Sequence, residues 1–371
     1  MRIVFGVGNY SHGYGIANVV HDIVKELLSQ GNDVLVLAGK GNLIDDVPFR
    51  ECGYNETLKH ASITKTLKAI LKLRPDIFHS HYYPMDFCGA LASSKVKHVM
   101  HVHGILKKEY WINGKAALEC LRSSLTESVG LRFSAKVITV SKFLKFDILK
   151  KYKMPADQIE VIYPSVDLNL YSPNNRSRFR AAQVSEDEIS LLSVGAISQR
   201  KGQHLLVDAM REIVKDAPKT RLFLIGRTGE EDASYILRLR QRIRKFRLEN
   251  NVLIKGFLPT SCLPDSYAQA DVFVTGTMWE GFGMPLAEAM ASGVPVVAFD
   301  TASTHELITN EVNGLKAPPF NTNVFAQMVL RLIQEPRLRR EMGKNGRWFA
   351  EKEFEIKRNV HRLIEIYQSL S

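Results

Sequence analysis

Short apolar runs alternate with amphipathic segments from the first residue of the chain. Residues 1–7 form an apolar run, residues 16–28 carry apolar side chains at helical spacing, and residues 34–37 form the next apolar run. This order predicts a strand, a helix and a second strand, which together form a βαβ unit. The sheet of such a unit is parallel, and ligands bind at the carboxyl ends of its strands.

Histidines stand at the ends of two further predicted strands. They are His79 and His81 on residues 77–81, and His101 and His103 on residues 99–103. A parallel sheet brings such strand ends to one edge, where a histidine can hydrogen-bond a hydroxyl or transfer a proton. A metal site on these histidines is the weaker interpretation, because no carboxylate converges with them.

A change of composition divides the chain near residue 163. The segment 163–167 (Tyr-Pro-Ser-Val-Asp) is followed by a stretch rich in Ser, Asn and Arg that runs to about residue 188. A chain of 371 residues is long enough for two domains, and this polar stretch marks the boundary between them. We therefore expect an N-terminal domain of residues 1–167 and a second domain that begins at residue 168.

The second half repeats the alternation of strand and helix. Predicted strands lie at residues 189–195, 221–226, 252–257, 271–274 and 294–299. After the first of them, Arg200, Lys201 and Gly202 open a helix. Cations at a helix N-terminus gain nothing from the helix dipole, so their position favours a bound anion at this place.

Residues 280–288 (Glu-Gly-Phe-Gly-Met-Pro-Leu-Ala-Glu) lie in a turn between a strand and a helix. A turn with glycines at a helix N-terminus offers backbone N–H groups and the positive end of the helix dipole to a phosphate. Glu280 and Glu288 flank that turn and can accept hydrogen bonds from sugar hydroxyls. This combination favours a nucleotide sugar as the ligand.

The net charge of +11 is spread over several helices, with no long basic tail. Phosphate contacts alone are not specific, and nucleic acid would not explain residues 280–288, so nucleic-acid binding ranks last. Residues 142–153 interleave apolar residues with lysines at helical spacing. Such a helix either packs on the core with its lysines in solvent, which we prefer, or lies on an anionic bilayer surface.

Nothing in the sequence predicts a membrane span or a disulfide framework. No apolar run is long enough to cross a bilayer, and residues 1–7 are typical of a buried strand rather than a signal peptide. The four cysteines are scattered without pair spacing: Cys52, Cys88, Cys120 and Cys262. We expect buried free thiols in a cytoplasmic protein, with peripheral contact to the inner face of the cytoplasmic membrane as an open alternative.

Several motifs resemble those of the retaining glycosyltransferases of the family-4 type (glycosyl transferase group 1). They are Glu280-x7-Glu288, Arg200-Lys201-Gly202, His103-Gly104 and the linker at residues 163–167. The resemblance implies the GT-B fold, an α/β architecture of two doubly wound, Rossmann-like domains that face each other across a cleft. It also implies that the second domain, which binds the donor, ends at residue 355. The C-terminal helix, residues 356–371, would then join the first, acceptor-side domain.

The resemblance also implies roles for particular residues. Glu280 would hold hydroxyls of the transferred sugar, His103 would contact that sugar, and Glu288 would accept from the ribose hydroxyls. The implied donor-binding residues are Gly15, Arg200, Lys201, Gly281, Phe282, Gly283, Met284 and Glu288. Three positions depart from the family pattern: Tyr14 replaces the first glycine of a pair, Ser165 replaces the glycine of the linker, and Ala196 replaces an arginine.

The implied reaction is retaining transfer of a hexosyl unit from a nucleoside-diphosphate sugar, based on UDP or GDP, to a hydroxyl. The acceptor is a saccharide or a lipid-linked saccharide, as in polysaccharide biosynthesis. No Asp-x-Asp motif occurs, so neither a metal ion nor a separate cofactor is expected. A nucleotide-sugar epimerase of the same architecture and a non-catalytic nucleotide-sugar-binding protein remain as alternatives.

Overall fold

The computed structural model describes residues 1–11, 15–42, 44–55, 60–105, 117–175, 188–229 and 232–370. The chain forms two compact units. Unit 1 comprises Met1–Ser165 and Ile356–Ser371, and unit 2 comprises Val166–Glu355. Each unit is built on one parallel sheet with helices, so the predicted α/β class with two Rossmann-like domains is confirmed.

Unit 1 contains nine strands and six helices among its described residues. The strands are β1 (Arg2–Tyr10), β2 (Asp33–Gly41), β3 (Phe49–Glu51), β4 (Tyr54–Asn55), β5 (His60–Ala61), β6 (Ile77–His81), β7 (Lys97–Val102), β8 (Lys136–Thr139) and β9 (Ile159–Val161). The helices are α1 (Gly15–Ser29), α2 (Ile63–Leu73), α3 (Met85–Ala92), α4 (Ala117–Arg132), α5 (Lys142–Tyr152) and α13 (Ile356–Ser369). The main sheet has the order β3-β2-β1-β6-β7-β8-β9, while β4 and β5 pair separately and antiparallel.

Unit 2 contains six strands and seven helices among its described residues. The strands are β10 (Ile189–Val194), β11 (Thr220–Ile225), β12 (Val252–Gly256), β13 (Val272–Thr275), β14 (Val296–Phe299) and β15 (Gly314–Ala317). The helices are α6 (Gln203–Asp216), α7 (Ala233–Lys245), α8 (Leu263–Gln269), α9 (Met284–Ala291), α10 (Thr304–Leu307), α11 (Thr322–Gln334) and α12 (Pro336–Glu353). The sheet order is β12-β11-β10-β13-β14-β15.

Strand order reverses between β1 and β6 in unit 1, and between β10 and β13 in unit 2. In open α/β sheets the ligand site lies at the carboxyl ends of the strands beside such a reversal. His81 ends β6, and residues 276–283 follow β13, so both sets of predicted site residues lie at a topological switch point.

The apolar pattern of the sequence accounts for how the elements pack. On α1 the predicted face is buried: Val19, Val20, Ile23, Val24 and Leu27. The central strands are buried on both faces, because helices cover both sides of a parallel sheet. Two strands are longer than predicted: β1 continues to Tyr10 and β2 spans Asp33–Gly41, and their register extends to the pair Tyr10 and Gly41.

The C-terminal helix α13 belongs to unit 1, where it packs against α1. Its buried residues include Asn359 and Tyr367. Asn359 donates from Nδ2 to the carbonyl of Tyr163 at 2.9 Å and to Ser165 Oγ at 3.2 Å. These buried hydrogen bonds fix the helix to the end of the first segment of unit 1.

Within the described ranges, no helix combines the length and the apolar content needed to cross a bilayer. Cys52 and Cys88 are buried free thiols, but Cys262 is exposed, so the prediction of buried thiols was wrong for that residue. Cys262 lies in a short 3₁₀ turn before α8, outside the sheet and its core.

Candidate functional site

The turn after β13 leads into α9 through a glycine that the geometry requires. Gly283 has a φ of 101°, in the left-handed region, and caps the helix. The N–H of Leu286 donates to its carbonyl at 2.9 Å. Helix α9 begins at Met284, two residues earlier than the sequence predicted, so the backbone of Gly283 and Met284 lies at the positive end of the helix.

Glu280, in that turn, forms ion pairs with both cations of the Arg200-Lys201-Gly202 motif. Its carboxylate accepts from Lys201 Nζ and lies 3.3 Å from the Arg200 guanidinium. Arg200 also donates to the carbonyl of Trp279 at 3.0 Å, and its own carbonyl accepts from the N–H of Met278. Burial alone would raise the pKa of Glu280, but Lys201 and Arg200 outweigh burial and lower it.

Glu288, on α9, lies in a different electrostatic environment. Its carboxylate accepts from the hydroxyl of Tyr267 at 2.6 Å, and Tyr171 also hydrogen-bonds it. Burial raises the pKa of Glu288, although the two phenols and Lys201 act in the opposite direction. Sequence reasoning missed Tyr171 and Tyr267. One lies beyond the linker and the other on α8, and no local pattern points to either of them.

Of the other residues predicted to bind the donor, Gly281, Phe282, Gly283 and Met284 belong to this turn and to the start of α9. Phe282 is buried, and its carbonyl accepts from the buried Ser303 hydroxyl at 2.6 Å. A small cavity of about 20 Å³ lies here. Its walls include Lys201, Thr275, Thr277, Glu280, Gly283 and Thr304. A space of that size holds about one water molecule.

Two other predicted positions, Ala196 and Gly15, are exposed and lie outside this turn. Ala196, where the family has an arginine, is exposed after β10, and its carbonyl accepts from Gln203 at 2.9 Å. Gly15 is the first residue of α1 and is exposed. Tyr14 and Gly13, also considered from the sequence, lie outside the described residues.

Unit 1 brings four histidines, His79, His81, His101 and His103, to one face of β6 and β7. His79, His81 and His101 are at most 3% exposed, whereas His103 is partly exposed. His81 Nδ1 lies 2.8 Å from His103 Nε2, and His79 Nε2 lies 3.2 Å from His101 Nδ1. The remaining nitrogen of His79, Nδ1, hydrogen-bonds the hydroxyl of Tyr367 on α13.

Burial keeps these histidines neutral. The pKa values of His79, His81 and His101 lie well below the usual value of 6.5, mainly because burial disfavours the charged form and secondarily because the rings repel one another's charge. Burial lowers the pKa of His103 to about 4. The four rings therefore act as hydrogen-bonding groups near neutral pH.

The same cluster is the candidate for a metal site. One ring nitrogen each from His79, His81 and His101 lies within 4.8 Å of the others. However, the rings of His79 and His81 are stacked with planes 19° apart, so their in-plane lone pairs run side by side instead of converging. Ligands at about 2.0–2.1 Å around a tetrahedral ion would need both convergence and closer spacing. The geometry therefore favours a hydrogen-bonded array.

Comparisons with known proteins agree on one family. The family description "Glycosyl transferases group 1" matches residues 175–349, and "Glycosyltransferase Family 4" matches residues 14–170. A putative glycosyltransferase of Bacillus subtilis (strain 168) is 29% identical over 314 residues, which cover 80% of this chain and 73% of the relative. An uncharacterized glycosyltransferase of Methanocaldococcus jannaschii is 30% identical over 285 residues, which cover 73% and 70%.

The fold is also similar to that of a solved structure. Anabaena Alr3699/HepE, crystallised in complex with UDP, superimposes with a TM-score of 0.84 at 24% identity, and all of both chains is covered. From its sequence, its two parallel-sheet units and these relatives, this chain belongs to the group 1, family-4-type glycosyltransferases of the GT-B fold.

Proposed function

We propose that this glycosyltransferase is a retaining hexosyltransferase that uses a nucleoside-diphosphate sugar and transfers the sugar to a hydroxyl without a metal ion. The main support is the pairing of Glu280 with Lys201 and Arg200 at the N-terminus of α9. In this proposal Glu280 supplies a carboxylate for sugar hydroxyls, and Arg200 and Lys201 supply two cations for a diphosphate.

In this proposal the diphosphate binds Arg200, Lys201 and the backbone of residues 281–284. The two cations and the helix N-terminus would stabilise the charge that develops on the leaving diphosphate, which removes the need for a metal ion. Glu288 would accept from the ribose hydroxyls. UDP is the first nucleoside diphosphate to test, because the Anabaena structure similar to this one holds UDP.

We propose no enzyme nucleophile. The acceptor hydroxyl attacks the anomeric carbon on the face from which the diphosphate departs. The new C–O bond forms as the bond to the phosphate oxygen breaks, and the hydroxyl proton passes to that oxygen. The anomeric configuration is therefore retained. Glu280 would hold hydroxyls of the sugar in this step, with His103 as a second contact.

The acceptor is proposed as a saccharide or a lipid-linked saccharide, met at the inner face of the cytoplasmic membrane. Helix α5 supports this proposal, because Phe146 is 64% exposed among lysines that include Lys142 and Lys150. An exposed aromatic side chain among cations fits an anionic bilayer surface. Leu144 and Ile148, on the other side of the helix, are buried.

A thermal-shift series with UDP, GDP and ADP, with and without magnesium, tests the donor site. We expect one nucleoside diphosphate to raise the melting temperature without metal. Glu280→Gln should bind it at least as tightly, since Lys201 and Arg200 lose their competing carboxylate, yet should transfer sugar about 100-fold more slowly. Glu249→Gln, at an exposed position, is the control. Near-normal transfer by the Glu280 variant would contradict its role.

A non-catalytic nucleotide-sugar-binding protein is the second candidate. The observation that favours it is the exposed Ala196, which removes one positive charge from the phosphate side of the site. Tight nucleotide binding with neither transfer nor hydrolysis of any donor sugar would support this candidate. A nucleotide-sugar epimerase would instead convert its substrate without an acceptor.

A further inference from the structure

The histidines of unit 1 form two short hydrogen-bonded chains whose proton positions can be deduced. A neutral imidazole carries one N–H and one lone pair, so the direction of one hydrogen bond fixes the next. One chain joins His101, His79 and Tyr367, and the other joins His81 and His103.

Two ring nitrogens decide which atom donates in each hydrogen bond of the two chains. His81 Nε2 and His101 Nε2 are buried and have no hydrogen-bond partner among the described residues. A buried N–H without an acceptor is rarer than an unused lone pair. Both Nε2 atoms are therefore assigned lone pairs, and the protons of His81 and His101 are assigned to Nδ1.

This assignment propagates to His103. The Nδ1–H of His81 donates to Nε2 of His103, so the proton of His103 must lie on its own Nδ1. His103 is the partly exposed member of the four, and its Nδ1 has no partner among the described residues. The ring of His101 stacks on His103 at a centroid distance of 4.7 Å with planes 14° apart, which holds the ring plane.

We propose that His81 is a positioning residue that locks His103 in the Nδ1–H tautomer, so that His103 donates a hydrogen bond to an oxygen of the transferred sugar. The proposal rests on the function proposed above, in which His103 contacts that sugar. Without His81, the ring would be free to rotate and to take the Nε2–H tautomer that free histidine favours in water. Loss of a partner that orients a metal-bound histidine typically lowers affinity or activity about 10- to 100-fold, and we expect a loss of activity of that order here.

Nitrogen NMR of the intact protein with ¹⁵N-labelled histidine tests the tautomer directly. Protonated and unprotonated ring nitrogens give separate signals, and His103→Gln identifies those of His103 by their loss. We expect His103 to be the Nδ1–H tautomer in the wild type. His81→Asn should keep that tautomer, because the amide nitrogen of asparagine can donate from the place of Nδ1. His81→Phe should shift His103 to the Nε2–H tautomer. The proposal would be overturned if His103 were the Nε2–H tautomer in the wild type, or if its tautomer were unchanged in a folded His81→Phe variant.

His98→Asn is the matched control for lost burial and packing. His98 is 1% exposed on the same strand, β7, but alternation places it on the opposite face, where it hydrogen-bonds Ser80. This variant should lower stability and leave the tautomer of His103 unchanged. If His81→Phe does not fold, the wild-type signals alone decide the assignment.

Hydrolysis of UDP-glucose, followed as UDP release, connects the tautomer with activity. We expect a loss of at least about 10-fold in kcat for His81→Phe, rescue to within about threefold by His81→Asn, and no further loss when His81→Phe is added to His103→Gln. Wild-type hydrolysis by His103→Gln would contradict the proposed function of His103. Slow hydrolysis by His103→Gln together with normal hydrolysis by His81→Phe would contradict only the positioning role of His81.

Discussion

At the scale of single residues, the pKa values of two glutamates eight positions apart are shifted in opposite directions. Cations lower the pKa of Glu280, whereas burial raises the pKa of Glu288, whose hydrogen-bond partners are phenols. Paired carboxyl groups whose environments separate their pKa values are typical of sites where each carboxylate has its own task. For Glu288 that task depends on Tyr267, which is fully buried.

Tyr267→Phe should therefore weaken donor binding while leaving the chemical step nearly unchanged. The change removes the hydroxyl that orients Glu288 and that opposes the rise of its pKa. We expect the KM for the donor to rise about 10-fold and the free energy of unfolding to fall by about 1–3 kcal/mol. Steady-state kinetics over a range of donor concentrations measures the first effect, and denaturant unfolding measures the second.

Tyr235→Phe provides the comparison for this variant. Tyr235 is also buried in unit 2, and its hydroxyl accepts from the N–H of His204 at 3.0 Å, with no hydrogen bond to either glutamate among the described residues. It should lose similar stability without a change in the KM. Equal KM values for the two variants would show that Tyr267 has no special link to the donor.

At the scale of elements, a contact between two glycines brings the two main motifs together. A Cβ on Gly202, before α6, would lie 2.0 Å from the carbonyl oxygen of Gly276, after β13. A Cβ on Gly276 would lie 2.3 Å from the carbonyl oxygen of Gly202. Because the two backbones can approach so closely, Lys201 can reach Glu280.

Gly202→Ala should consequently damage unit 2 far more than Gly256→Ala. Both glycines have positive φ, 64° and 74°, so each substitution carries about 1–2 kcal/mol of backbone strain. Nothing lies within 4 Å of a Cβ at Gly256, whereas the Gly202 variant also clashes with backbone. Thermal unfolding should show a much larger loss for Gly202→Ala, together with loss of the nucleotide-induced shift. Equal losses would contradict the role of this contact.

At the scale of the whole molecule, unit 1 contains five histidines whose pKa values are lowered. They are His79, His81, His98, His101 and His103. Burial lowers the pKa of His98 to about 3 and that of His103 to about 4. Asp86 opposes them, because burial raises its pKa to about 7.

The stability of unit 1 should accordingly fall as the pH falls from 6.5 towards 4. Above 6.5 both the folded and the unfolded histidines are neutral. Below it the unfolded chain binds protons that the folded chain does not, and each histidine can lower the free energy of unfolding by up to about 1.4 kcal/mol per pH unit. Asp86 has the opposite sign and offsets about one histidine, because its folded pKa is raised.

Hydrogen exchange with mass spectrometry at several pH values, corrected for the intrinsic exchange rate, measures this effect separately in each unit. Peptides of β6 and β7 should lose protection between pH 6.5 and 4.5 before those of β13 and β14. Among the described residues of unit 2, His204 is the histidine whose pKa is lowered, chiefly by burial, so its acid sensitivity should be smaller. Constant protection of β6 and β7 over this range would contradict neutral burial of the array.

The sequence by itself determined the repeating strands and helices, the parallel sheets and the family. Each of these depends on local information: apolar spacing over a few residues, and motifs such as Arg200-Lys201-Gly202 that occupy one turn. The limits of β1, β2 and α9 were missed by up to four residues, because strand register and helix capping depend on partners elsewhere in the chain.

Only the tertiary structure decided which side chains meet. Glu280 and Lys201 are 79 positions apart, Tyr267 and Glu288 are 21 apart, and His79 and Tyr367 are 288 apart. No periodicity encodes such pairs, because they form only when sheets and helices pack into one unit. The tertiary structure also decided which ring nitrogens of the histidines donate and which accept. Burial removes solvent as an alternative partner, so each ring must hydrogen-bond the neighbour that the fold provides.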